Sequence, residues 1–194
     1  MLLLVRHGQS VLNAEGRLAG RLDVPLTDLG VAQATAVAAA VAAIARPDRV
    51  ISSPLDRARA TAAAFGVAPA IDERWIELDY GAYDGMRLED VPDDVSAAWR
   101  RDPAWAPSGG ESLAELGTRV RAACADALGD GVTVVVSHVS PIKAAVAWAL
   151  GVGDDASWRM FVAPASITVI AAGPHGPVLR AFNVTSHLHA LTGP

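Results

Sequence analysis

Residues 132–141 read Val-Thr-Val-Val-Val-Ser-His-Val-Ser-Pro. The run 132–137 is short, apolar and β-branched, which is the pattern of a strand buried on both faces of a parallel sheet. His138 follows at once. Ser140-Pro141 then predicts an N-cap and a first helical position, and Gly151 and Gly153 stop the helix. A strand that runs straight into a helix start puts an imidazole beside backbone N–H groups that favour an anion.

The amino terminus repeats the device. Residues 2–5, Leu-Leu-Leu-Val, form a second buried strand that ends on Arg6-His7-Gly8-Gln9-Ser10. Further strands are expected at 50–52, 166–172 and 178–182. Thr27 is placed as the N-cap of a long helix ending at Ile44, with Val31, Ala34, Ala38 and Val41 on one face. Pro54 suits the first turn of a helix reaching Phe65, and 112–128 forms another. Strands alternating with helices predict an α/β fold, a three-layer α/β/α sandwich around a mostly parallel central sheet. In such sheets ligands bind beyond the carboxyl ends of the strands, where strand order reverses. Two histidines and an arginine are therefore expected to converge there on an anion.

The chain has 194 residues, 52% of them hydrophobic, and a formal net charge of −5. One domain over 1–194 is expected. The acidic balance argues against nucleic acid or an acidic membrane as partner. The opening apolar run meets Arg6 too soon for a signal peptide or a membrane span. The only cysteine, Cys124, lies in a helical pattern and reads as a buried structural thiol, which fits a cytoplasmic setting. Lys143 is the only lysine; an alanine-rich, arginine-for-lysine composition reads as codon bias, so no arginine is singled out for being one. Residues 73–110 mix acids, prolines and aromatics with weak periodicity. Their aromatics argue against disorder and for a short lid or pocket wall.

Four blocks in order carry a resemblance. The first is residues 4–13, Leu-Val-Arg-His-Gly-Gln-Ser-Val-Leu-Asn, followed by Gly20, Asp23, Pro25-Leu26-Thr27 and Gly30. The second is 52–62, Ser-Ser-Pro-Leu-Asp-Arg-Ala-Arg-Ala-Thr-Ala. The third is 77–85, Glu-Leu-Asp-Tyr-Gly-Ala-Tyr-Asp-Gly, with Gly-Gly-Glu-Ser at 109–112, and the last is 136–141. Together they resemble the histidine phosphatase superfamily, also called the phosphoglycerate mutase-like family, over nearly the whole chain.

The resemblance implies a phosphatase that works through a phosphohistidine on His7, without metal or cofactor, on a small phosphorylated metabolite. Arg6, Arg57 and His138 would hold the phosphoryl oxygens, whose spread of negative charge suits planar guanidinium forks. Glu77 would give a proton to the leaving alcohol and later take one from water; Asp79 and Asp84 beside it are weaker candidates. Ser10 and Asn13 would add neutral hydrogen bonds, although a helix-end cap is an equal reading of Asn13. Gly20 would let backbone approach the substrate, and Tyr80 would line the pocket. Arg21 is read equally as a contact to a charged substrate and as a surface residue. Arg59 points away from Arg57 on a helix, and His175, His187 and His189 are poorly placed for a metal.

Two positions depart from the family pattern: Val139, usually glycine, and Ala19, often polar. A phosphoglycerate mutase is the rival within the family, but the short stretch between Glu77 and His138 leaves little room for a mutase insertion. A non-catalytic phospho-ligand module is the rival outside it, and such modules usually lose one of the five positions that are all filled here. The stretch before Gly109, Asp-Pro-Ala-Trp-Ala-Pro, is similar to relatives acting on glucosyl-phosphoglycerate. A homodimer is one of the oligomeric states left open.

Overall fold

In the computed structural model, which describes residues 1–192, the two apolar runs become neighbouring parallel strands. The last two residues of the expected 1–194 domain lie outside that range. Strand β1 is Leu2–Arg6, and Thr133–Ser137 is the strand in register beside it, Arg6 against Ser137. The elements in chain order are β1, α1 (Val11–Ala14), α2 (Asp28–Ile44), β2 (Arg49–Ser52), α3 (Asp56–Ala63), β3 (Ala70–Ile71), α4 (Asp93–Arg101), α5 (Leu113–Ala127), β4 (Thr133–Ser137), α6 (Val139–Leu150), β5 (Ile167–Gly173), β6 (Gly176–Val184) and α7 (His189–Thr192). The sheet order is β3-β2-β4-β1-β5-β6. β1, β2, β3 and β4 run parallel; β5 and β6 add an antiparallel hairpin.

The period of two along a strand sorts side chains into two layers. Leu2, Leu4, Ile51, Val135 and Ile170 face one way, onto Leu116, Val120 and Cys124 of α5 and Ile142 of α6. Leu3, Val5, Val50, Val134 and Val136 face the other way, onto Val37 and Val41 of α2 and Ala58 and Ala62 of α3. Every residue of β1 and β4 is buried, as a strand covered by helices on both faces must be. Cys124 is fully buried in this packing.

Three local expectations are corrected. On α2, Val31 is 56% exposed, and Gln33 is buried instead. Its amide oxygen accepts the backbone N–H of Gln9 at 2.8 Å, so a polar side chain occupies the core face without an unmet group. The helix after Pro54 begins only at Asp56, with Leu55 as N-cap, and closes at Ala63. Helix α6 starts at Val139 with His138 as its N-cap, two residues ahead of Pro141. Thr27 does cap α2, its hydroxyl accepting from Gly30 N at 3.1 Å.

Residues 73–110 hold three short 3-10 turns (Glu73–Trp75, Gly81–Tyr83, Leu88–Asp90) and α4, a helix the weak periodicity did not suggest. One contact fixes the opening loop. A Cβ on Gly8 would stand 2.3 Å from Gly30 O, and one on Gly30 would stand 2.0 Å from Gln9 O, so backbone packs directly on backbone there. Among the described residues no helix is long and apolar enough to cross a membrane.

Candidate active site

β1 and β4 each deliver a histidine at the same edge of the sheet. His7 N–H donates to Ser137 O at 2.9 Å, tying the strand ends together, and the rings of His7 and His138 stand 5.0 Å apart. Both are buried.

The tautomer of His7 follows from its partners. Nδ1 lies 2.6 Å from Gly8 O, and a carbonyl can only accept, so Nδ1 carries the proton. Nε2 is left with its lone pair, and Arg57 Nε donates toward it at 3.3 Å. Arg57 comes from the first turn of α3 and is fully buried; its two terminal nitrogens donate to Leu22 O and Gly20 O, both at 2.7 Å. Arg6 donates Nη1 to Val162 O at 2.7 Å, while its Nε is buried with no partner among the described residues.

Burial governs the protonation of this cluster. It pulls the Arg6 guanidinium down to about 10, with Glu77 opposing, so Arg6 stays a cation at neutral pH. Arg57 is lowered by burial too, against the pull of Glu77 and Asp23. His7 is held well below the usual imidazole range by burial first, then by Arg6 and Arg57, the Gly8 bond opposing. His138 is held down by burial, then Arg57, His7 and Arg6. The result is two neutral imidazoles between two cations. His138 Nε2 lies 2.7 Å from Ser53 Oγ, and its Nδ1 is buried without a partner among the described residues.

Glu77 is 5% exposed. Its Oε1 accepts from Leu78 N at 2.8 Å and Ser140 N at 3.1 Å, and its Oε2 from Val139 N at 3.1 Å. The first N–H groups of α6 are thus met by a carboxyl group of the chain itself, and this is why the helix can begin at Val139.

Arg6, His7, Arg57 and Glu77 line one cleft of about 230 Å³, and Asn13, Gly20 and Tyr80 join them. Gly20 has φ +46° and packs on Asp84, where a side chain would not fit. Tyr80 OH is 3.3 Å from Ser140 Oγ; burial and then Glu77 raise its phenol above the usual range. The structure does not bring Ser10, Arg21 or His138 to the cleft wall; His138 is fully buried against His7. Ser10 is fully buried in a capping box, its hydroxyl accepting from Asn13 N at 3.4 Å while Asn13 Oδ1 accepts from Ser10 N at 3.2 Å. That leaves the Asn13 amide NH₂ as a donor without a hydrogen-bond partner among the described residues. Arg21 is exposed and turned onto Asp79 and Glu111, at 3.4 and 3.3 Å.

Sequence reasoning missed Arg17, Leu18 and Leu88 on the cleft wall. It also missed Thr61, whose hydroxyl accepts from Gly8 N at 3.0 Å and donates to Arg57 O at 2.8 Å. Thr61 is four residues after Arg57 on α3, so the shared face was a readable signal. His187, read as structural, donates from Nε2 to Ala165 O at 3.0 Å, and Ala165 N–H donates to His7 O at 3.1 Å, so it stands one step behind His7. Among the described residues no group of three or more His, Cys, Asp or Glu is placed to hold a metal.

The profile of the Histidine phosphatase superfamily (branch 1) matches residues 2–185. Phosphoserine phosphatase 1 of Hydrogenobacter thermophilus is 34% identical over 199 residues, covering 96% of this chain and 93% of that one. A phosphoserine phosphatase mutant of Entamoeba histolytica, solved with phosphoserine, superposes with a TM-score of 0.89 at 28% identity, over 97% of this chain and 98% of that chain. A mycobacterial glucosyl-3-phosphoglycerate phosphatase, solved with VO3, gives 0.85 at 29% identity, over 95% and 98%. The chain also spans about half the length, 54%, of curated relatives in Mycobacterium that it matches at 33% identity.

Proposed function

Because the chain belongs to the histidine phosphatase superfamily, we propose that it hydrolyses a small phosphomonoester through a covalent phosphohistidine on His7. The observation that carries this is the His7 tautomer: Nδ1–H bound to Gly8 O, and a lone pair on Nε2 beside a buried arginine. Relatives named for phosphoserine and glucosyl-3-phosphoglycerate support a phosphorylated metabolite as substrate. Residues 1–194 act as one catalytic unit, with 73–110 as its wall. A reducing cytoplasm suits a chain whose one cysteine is buried.

His7 Nε2 attacks phosphorus as the ester P–O bond breaks. Arg57 Nε turns from that nitrogen to a phosphoryl oxygen, and Arg6 and His138 take the others. The departing alkoxide receives a proton from the Glu77 carboxyl and leaves as alcohol. Water then attacks phosphorus, Glu77 takes its proton, the P–N bond breaks, and phosphate leaves with His7 neutral again. Positive charge fixed in a buried site supplies most of the acceleration, since the loose transition state needs positioning more than covalent help.

The test is a rapid quench with labelled substrate, followed by acid and base treatment. An acid-labile, base-stable adduct is expected, absent in His7→Ala, whose kcat should fall at least about a thousandfold. Turnover should survive exhaustive chelation. An adduct that persists in His7→Ala, or activity that EDTA removes and one added metal restores, would overturn the reading.

A further inference from the structure

The phosphoryl cleft adjoins a second cavity, also about 230 Å³, with which it shares Leu18, Tyr80, Leu88 and Val139. The two differ in chemistry. The second is walled largely by apolar and aromatic side chains, and Trp99 is the hub. Its ring centroid is 5.5 Å from Tyr80, 5.6 Å from Trp105 and 6.4 Å from Trp158. At the mouth, Leu88 and Trp158 are 68% and 42% exposed, an apolar rim facing water. Among the described residues no Asp, Glu, Asn or Gln lines this cavity.

Ser96, Ser140, Ser157 and the exposed Arg100, whose guanidinium stands 6.0 Å from the Trp158 ring centroid, line it too, and so does Lys143. It follows Val139 by four residues and Ser140 by three on α6, so it shares the face that borders both cavities. It is half-buried and makes no ion pair or hydrogen bond among the described residues. Burial draws its ammonium down, opposed by Glu77 and reinforced by Arg6. A cation set into an apolar wall without a partner is costly to keep and gains from an anion brought to it.

We propose that this cavity seats the alcohol half of the substrate, and that this alcohol carries a flat apolar ring with an acidic group that pairs with Lys143. The proposal rests on phosphoryl transfer at His7 in the adjoining cleft. A sugar is a poor occupant. Its several hydroxyls would find only the hydroxyls of Ser96, Ser140, Ser157 and Tyr80 as side-chain acceptors on a wall that is otherwise apolar or cationic. A ring stacks on Trp158 and meets Trp99 and Tyr80 edge-on. Since a cavity of about 150 Å³ holds benzene, about 230 Å³ has room for one substituted ring or a small fused pair.

Uncleavable phosphonates separate this from the catalytic reading. Binding of benzylphosphonate, its 3- and 4-carboxy derivatives and the phosphonate analogue of glucose 6-phosphate is measured by calorimetry on the wild-type chain. Benzylphosphonate should bind more tightly than the sugar phosphonate. The better carboxy derivative should gain about a further tenfold, the value of one partly desolvated charged hydrogen bond. Lys143→Met should erase the carboxylate gain, and Trp158→Ser the preference for the ring; both sites are solvent-reached, so the fold should hold. This binding order without hydrolysis of the matching esters would leave the pocket standing and remove the phosphatase reading. Hydrolysis with equal binding of ring and sugar, or a carboxylate gain unchanged in Lys143→Met, would overturn the pocket.

Discussion

The two adjoining cavities are built by different means. At the phosphoryl end, His7 and His138 step off adjacent strands, and Arg57 and Glu77 are fixed by main-chain hydrogen bonds. At the alcohol end, the wall comes from 73–110, α6 and the turn around Trp158, and rings packed on rings set its shape. Backbone bonds leave a side chain few alternatives, whereas aromatic packing tolerates exchange. Under the proposed function, reaction chemistry is therefore tied to the sheet, and choice of alcohol to a surface built apart from it.

The sharpest way to break this division is Glu77→Gln, because Glu77 lines the phosphoryl cleft and also holds the backbone N–H groups of Val139 and Ser140, whose side chains line the other cavity. Its loss as acid should lower kcat by about a hundredfold or more for an alkyl phosphate. An aryl phosphate with an acidic phenol should be spared in the first step, so the His7 adduct should accumulate as a burst in stopped-flow traces. The same change sets an amide NH₂ against backbone N–H groups at the start of α6. Denaturant melts should therefore show a loss of about 1–3 kcal/mol. A full-sized burst with no loss of stability would mean that the cap on α6 contributes little.

A second experiment concerns the phosphoryl end alone. His7 and His138 are depressed in the fold relative to about 6.5 in the unfolded chain, so the unfolded state binds protons first as pH falls. Their contribution is complete above about pH 6.5 and is lost on acidification, by up to about 1.4 kcal/mol per pH unit for each imidazole. Urea melts at pH 7.5 and 5 should give a smaller acid loss for His138→Gln than for the wild type. An equal loss in both would place the acid sensitivity in His7 or the carboxylates instead.

The smallest effect is expected where the halves meet. Val139 lines both cavities at the first position of α6. Val139→Gly should widen the passage and change KM by a few-fold among bulky alcohols, with kcat nearly constant and stability down by up to about 1 kcal/mol. A kcat loss comparable to that of Glu77→Gln would show that Val139 positions the reacting groups.

Much of the phosphoryl end was legible because local patterns decide it. Two apolar runs set β1 and β4, and each run's next residue is a histidine; Thr27 announced α2. What escaped depends on distant partners. The start of α6 lies at Val139 because a carboxylate 62 residues earlier satisfies its first N–H. Val31 and Gln33 exchange expected places because the amide of Gln33 has a backbone donor in another segment. Ser10 turned from ligand to cap because Asn13 is three residues away. Helix α4 was missed since Trp99 alone is buried on it, yet Asp93-Asp94 at one end and Arg100-Arg101 at the other match the helix dipole and were readable. The alcohol wall was named only as a segment, because ring packing leaves no period in a sequence.

The contact between Gly8 and Gly30 has a consequence for anyone who would retrain this scaffold. No side chain fits at either position, so nothing there can be tuned by degrees: a methyl group at one site drives the histidine loop and the second helix apart as a block. A mutagenesis library spread evenly over the cleft would waste its members at this seam. Held constant at residues 8 and 30 and varied around Leu88, Val91, Ser96 and Trp158, it would sample new alcohols while the nucleophile kept its aim.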